Sequence, residues 1–187
     1  MHGRSKEIKI LKLFFEEPTK QWRFKDIKEK VSIADSKLAE WMKKFVKKKI
    51  IIKTKRKGHM PFYTANHQET TYRFRKKIFA QNQLFNSGLL KHLSGLKKSK
   101  TVILYGSFNR SDWYKDSDID IFIYGNPEGL KLSKYETKLH RNIQLINAKN
   151  KKELEKLNPK LLRNILRGQI IIGDLKIEII KNAGVQK

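Results

Sequence analysis

The chain has 187 residues, 43 of them basic and 18 acidic, giving a formal net charge of +25 with 39% hydrophobic residues. That length suits one large or two small domains, and the apolar content is too high for a wholly disordered chain. The absence of cysteine excludes disulfide scaffolds, zinc fingers and thiol nucleophiles.

No apolar run approaches the roughly 20 residues of a spanning helix. The opening stretch MHGRSKEIKI has no signal-peptide core, so the expectation is a cytoplasmic protein with no membrane partner. The basic excess favours a polyanion instead, because Lys and Arg near phosphate release condensed counterions. Residues 1–68, 69–97 and 98–187 are each net positive, and the first is the most densely basic. Acidic residues gather only later, where Asp112, Asp116, Asp118 and Asp120 form a local focus.

In chain order, residues 5–17 place Ile8, Leu11, Phe14 and Phe15 on one helical face, closed by Pro18. Gln21–Phe24 reads as a short strand and 25–31 as a small helix. Asp35 or Ser36 then caps a third helix with Leu38, Met42, Phe45 and Val46 as its buried stripe. Ile50–Lys53 has strand character, Lys55-Arg56-Lys57-Gly58 is a turn, and Phe62–Thr64 returns. Three helices followed by a basic β-hairpin resemble a winged-helix domain over residues 4–66, a member of the helix-turn-helix class. The resemblance implies a third helix in the major groove of duplex DNA and a wing on the backbone or in the minor groove. Lys37, Lys43 and Lys44 on the helix and Lys53, Lys55, Arg56 and Lys57 on the wing are the implied contacts. Few of these side chains suit base reading, so phosphate contact is expected to dominate.

Residues 69–96 read as one long helix with Phe74, Ile78, Phe85, Leu89, Leu93 and Leu96 on its packing stripe. Asn86-Ser87-Gly88 marks a kink, and Tyr72, Arg73 and Arg75 an exposed start. From residue 100 the pattern becomes strand, Gly-Ser turn, polar loop, strand. Thr101–Tyr105 is a buried-type strand running into Gly106-Ser107, and Asp118-Ile119-Asp120 leads into Ile121–Tyr124. Residues two apart on a strand share a face, so Asp118 and Asp120 project together. Adjacent carboxylates repel unless a cation bridges them, and oxygen ligation suits Mg²⁺ or Mn²⁺. Gly106 permits close backbone approach to phosphate, and Ser107 adds a hydroxyl donor. A calcium loop needs Gly where this chain has Ile121 and Glu where it has Pro127, which excludes that motif.

Gly106-Ser107 followed by Ser117-Asp118-Ile119-Asp120, with Arg110 behind the Gly-Ser pair, resembles the polymerase-beta-type nucleotidyltransferases. The minimal nucleotidyltransferases of archaea and bacteria are the nearest look-alikes, over about residues 98–173. A helix near 130–140, a strand near 142–147 and helices near 150–157 and 159–167 agree with that pattern. Asn150 with Glu153 reads as a capping box, and Asn158-Pro159 starts the last helix, which Gly168 stops.

The resemblance implies an α+β (mixed) protein: a winged helix-turn-helix over 1–68, a linker helix over 69–97, and a nucleotidyltransferase fold with a small mixed sheet over 98–187. It further implies transfer of a nucleoside monophosphate from NTP to an acceptor hydroxyl, with Mg²⁺ or Mn²⁺ held by Asp118 and Asp120. Gly106, Ser107, Arg110 and Ser117 would bind nucleotide. The family's third carboxylate position falls on Gln144, a neutral amide. Glu178 has the right local pattern but comes one or two elements too late, and Asp112 would substitute only if its loop folded back. Two other functions stand beside this one: a DNA-binding regulator with a degenerate nucleotidyltransferase domain, and an antitoxin-like nucleotidyltransferase with a partner protein. Homodimerisation, common among winged-helix proteins, is compatible with each.

Overall fold

The computed structural model describes residues 2–174. They divide into two units: the chain through Lys76 with Trp113–Lys115, and the chain from Lys77 to Asp112 continuing from Asp116.

Buried aromatic residues organise the first unit. Helix α1 (His2–Glu16) contributes Ile10, Leu11, Phe14 and Phe15, whereas Ile8 is exposed. A two-residue strand β1 (Trp22–Arg23) leads into α2 (Phe24–Val31) and α3 (Asp35–Lys47). The cap of α3 differs from expectation. Ala34 occupies that position, and the Asp35 carboxylate, one residue inside the helix, pairs instead with Lys28 at 2.8 Å. Leu38, Trp41, Met42 and Phe45 are buried on α3, while Val46 is exposed, so the stripe is rotated toward the indole. Strands β2 (Ile51–Thr54) and β3 (Phe62–Ala65) complete an antiparallel sheet of order β1-β3-β2. Tyr63 faces Trp22 on one side and Lys53 on the other.

Helix α4 (Thr70–Ser87) departs most from the sequence reading. Phe74, Ile78 and Phe85 are 65%, 45% and 72% exposed, and the buried residues are Tyr72, Lys76, Phe79, Ala80, Leu84 and Ser87. Tyr72 sets this phase. Its ring meets Phe15 edge-on at 5.3 Å and its hydroxyl donates to the Phe14 carbonyl at 2.9 Å. A hydroxyl satisfied in this way removes the cost of burying a tyrosine. Lys76 is buried as well, its Nζ donating to the Trp113 carbonyl at 2.5 Å and lying 4.6 Å from that indole. The expected kink at 86–88 is a full break, with Gly88 left-handed at φ 85° before α5 (Leu89–Ser94).

The second unit is built on a mixed sheet of order β6-β5-β4-β7. Strands β4 (Ser99–Tyr105) and β5 (Ile119–Gly125) are antiparallel, and β5 is parallel to β6 (Ile143–Ala148). The parallel pair requires a crossover, which α7 (Ser133–Leu139) supplies. Strand β7 (Gln169–Ile172) pairs antiparallel with β4 and was not expected from the sequence. Its three isoleucines follow the helix stop directly and show no alternation, so only the ladder to β4 defines it.

Helices α8 (Lys151–Glu155) and α9 (Pro159–Leu166) cover one face of this sheet. Ile103, Phe122, Ala148, Leu154, Leu162 and Ile165 form the core between them. Asn158 accepts from the Lys160 amide at 2.8 Å, and Pro159 begins α9. Asn150 accepts from the Glu153 amide, but Glu153 returns its bond to the Lys149 amide, so the box is displaced by one residue. Gly168 has no room for a side chain: a Cβ there would lie 2.7 Å from the Leu104 carbonyl oxygen. Replacing Leu162 by Ala should cost about 2–5 kcal/mol through the cavity it leaves. Urea denaturation followed by circular dichroism measures this, and a midpoint equal to wild type would contradict the packing.

Candidate active site

Three neighbouring strands place two sequence-predicted positions, Asp120 and Gln144, in one row with Tyr105. Tyr105 on β4, Asp120 on β5 and Gln144 on β6 are register partners, so their side chains emerge on the same sheet face. Asp118 precedes β5 by one residue and shares the parity of Asp120. Ile119, Ile121 and Ile123, of opposite parity, are buried on the other face. Both carboxylates are half-buried, at the rim of the face covered by α8 and α9. Burial pushes the Asp120 carboxyl above its ordinary range, the Asp118 charge adds to this, and Arg110 opposes it. The Tyr105 hydroxyl is pushed up to about 12, by burial first and then by the Asp120 charge.

The chain turns sharply where β4 meets α6 (Gly106–Arg110). Gly106 has φ +73°, and a Cβ there would lie 2.8 Å from Asp120 Cγ and overlap its Oδ2. The glycine turn and the carboxylate therefore occupy adjoining space. Ser107 follows directly, and its carbonyl accepts from the Asp112 amide at 3.3 Å. The guanidinium of Arg110 donates to Asp112 Oδ2 at 3.1 Å and to Asn164 Oδ1 at 2.8 Å, tying α6 to α9. Asn109 adds a bond to the Arg167 carbonyl at 3.2 Å.

Asp112 is thus engaged by Arg110 and does not complete the carboxylate pair. Among the described residues no group of three or more His, Asp or Glu could hold a metal ion. Gln144 is exposed beside Asp120, where a third acid would lie, and Glu178 falls outside the described residues. Two half-buried acids, the charge of Asp118 raising the proton affinity of Asp120, fit a hard divalent ion that takes one or two carboxylates and shares phosphate oxygens. They do not form an all-protein cage. Sequence reading missed Arg141, a buried cation whose Nη1 donates to the Ser117 carbonyl at 2.9 Å. Arginine next to a strand start carries no pattern that separates it from the chain's many surface cations.

A family model for the nucleotidyltransferase domain matches residues 87–185. The chain belongs to the nucleotidyltransferase domain family. No curated protein and no solved structure matches it. The family segment contains the Gly106 turn, the acidic pair and Gln144. It also contains a cavity of about 490 Å³ lined by Lys91, His92, Lys134, Tyr135 and Lys138, none of them at the acidic pair. Burial and the nearby Lys134 and Lys131 lower the His92 pKa.

The cationic residues of the first unit occupy varied settings. Lys43 on α3 and Lys53 on β2 line one depression with Phe24, Met42 and Tyr63. Lys55, Arg56 and Lys57 lie in the exposed loop between β2 and β3, with Arg56 5.8 Å from the Phe62 ring. Lys37 is paired with Glu40 at 2.6 Å, and Lys44 lies 4.2 Å from the Trp41 ring. Among the described residues no helix is long and apolar enough to cross a membrane.

The Gly106 turn yields a direct comparison. Gly129, at φ +86°, has open space where a Cβ would go, so Gly129→Ala should cost only the left-handed penalty of about 1–2 kcal/mol. Gly106→Ala carries the same penalty and must also displace the Asp120 carboxylate, so its loss should exceed the first by 1 kcal/mol or more, on the order of an overpacking cost. Paired urea titrations read the difference, and equal losses would show the carboxylate is not packed against the turn.

Proposed function

We propose that this nucleotidyltransferase is metal-dependent and moves a nucleoside monophosphate from an NTP to an acceptor hydroxyl. The observation that carries the proposal is the carboxylate pair on one sheet face abutting a glycine turn with no room for a side chain. Asp118 and Asp120 would hold the metal ion, Mg²⁺ or Mn²⁺. When bound, such an ion neutralises triphosphate charge and supplies Lewis acidity at the reacting oxygens. Gly106 leaves the backbone open to phosphate, and Ser107 offers its hydroxyl beside it. Ser117 lies next to the metal-binding pair. Arg110, tied to Asp112 and Asn164, serves to fix α6 and places a positive charge near Asp120. The acceptor oxygen attacks the α-phosphorus, the bond to the bridging oxygen breaks, and pyrophosphate leaves. The hydroxyl proton goes to solvent, because the neutral Gln144 amide has no basicity at neutral pH. Positioning carries the remainder of the rate.

The first unit is proposed to be a winged helix that binds duplex DNA. Its supporting observations are the order of three helices and a β1-β3-β2 sheet, and the depression shared by Lys43 and Lys53. A second reading, a DNA-binding regulator whose nucleotidyltransferase domain binds nucleotide without turnover, is favoured by Gln144 in register with Asp120.

Incubation with labelled NTPs and Mg²⁺ or Mn²⁺ separates the two. Transfer is expected, and Asp118→Asn with Asp120→Asn should lower it at least about a hundredfold, since metal stabilisation is worth several kcal/mol. Transfer that survives the double change removes the acidic pair from the chemistry. No transfer by wild type, with tight DNA binding retained, selects the regulator. Affinity for duplex DNA should fall about a thousandfold between 50 and 200 mM salt if six or so phosphates are contacted. A salt-independent affinity would end the DNA proposal.

A further inference from the structure

We infer that Arg141 is a positioning residue for the carboxylate pair, holding the Ser117–Asp118 peptide against the helix that carries the Gly-Ser turn. The inference rests on the metal-binding reading of Asp118 and Asp120. Arg141 lies between α7 and β6 and is 7% exposed, an unusual degree of burial for a guanidinium. Two of its contacts bear on the acidic motif and the glycine turn. Its Nη1 donates to the Ser117 carbonyl at 2.9 Å, and its guanidinium carbon sits 5.2 Å from the Phe108 ring centroid. Phe108 is the middle residue of α6 and fully buried, two residues beyond Gly106.

The geometry gives this arrangement a purpose. Asp120 lies within β5, fixed by its pairing with Tyr105 and Gln144. Asp118 lies outside that ladder, which begins where the Ile119 amide donates to the Asn142 carbonyl at 2.9 Å. The direction in which the Asp118 side chain leaves the backbone depends on the peptide plane before it, and the Ser117 carbonyl belongs to that plane. Arg141 holds this carbonyl from one side while its guanidinium carbon lies over the Phe108 ring of α6. One planar cation therefore ties the start of the acidic motif to the helix of the glycine turn. A lysine could supply the charge but neither the flat face nor the fork of donors. Groups that orient metal ligands through a hydrogen bond typically cost 10–100-fold in metal affinity when replaced.

The test measures Mn²⁺ affinity of the full chain in the presence of ATP, from the electron paramagnetic resonance signal of the free ion. Thermal melting is recorded on the same samples. Arg141→Lys should weaken Mn²⁺ binding about tenfold while most of the protein remains folded at the assay temperature. Phe108→Leu, which removes the ring but not the Ser117 bond, should produce a smaller loss in the same direction. If Arg141→Lys does not fold, Phe108→Leu decides. Wild-type Mn²⁺ affinity in a folded Arg141→Lys protein, or in Phe108→Leu where that variant must decide, overturns the inference, whatever happens to melting. Absence of Mn²⁺ binding by the wild type, or binding that survives the Asp118→Asn, Asp120→Asn double change, overturns the reading beneath it and the inference with it.

Discussion

The close approach of the Asp120 carboxylate to residue 106 governs the architecture of the second unit. A side chain at 106 would occupy the space of that carboxylate, and φ +73° is a conformation that L residues adopt at a cost. Glycine relieves both constraints, and the turn it makes leads directly from β4 into α6. Everything nearby is arranged around a half-buried acid that would otherwise be expensive to keep ionised. Asp118 raises that cost and Arg110 reduces it. The protein thus maintains an unfavourable electrostatic arrangement at a place where a bound cation would relieve it.

Neutral Gln144 alters the balance of this row. An aspartate there would add a third negative charge in register with Asp120, whereas the amide leaves two. Two acids suffice to share a divalent ion with phosphate oxygens, but they provide less binding before nucleotide arrives. Helices α8 and α9 pack on the same face of the sheet, beside this row. Arg110 spans from α6 to Asn164 on α9, and α9 is packed on Ile103 and Phe122. Loss of α9 packing would therefore reach the glycine turn through a hydrogen bond rather than through direct contact.

Much of the second unit was legible because its signals are local. The Gly-Ser turn, the Asp-x-Asp parity and the Asn158-Pro159 helix start each depend on neighbours in sequence. Gln144 could be placed for the same reason, since a single strand pattern located it. Other features depended on contacts distant along the chain. The phase of α4 is set by Tyr72 reaching Phe14 and Phe15, and aromatic periodicity alone selected Phe74, Ile78 and Phe85 instead. Arg141 resembled any other surface cation until its carbonyl partner came from 24 residues earlier. Strand β7 has a weak pattern and exists through its ladder to β4. The Asp35 cap failed because the helix starts one residue earlier than its polar residues suggest, with Ala34 at the cap and Asp35 paired to Lys28.

The order of the strands has a kinetic meaning. Strands β4 and β5 pair as chain neighbours, so the turn and the acids meet through short loop closure, the least costly kind in entropy. The parallel partner β6 must await its crossover helix, and β7 returns to β4 only from the far end of the domain. Contacts spanning longer stretches of chain form more slowly. Loop-closure entropy therefore favours early pairing of the strands that bring the acids and the glycine together, ahead of the outer strands.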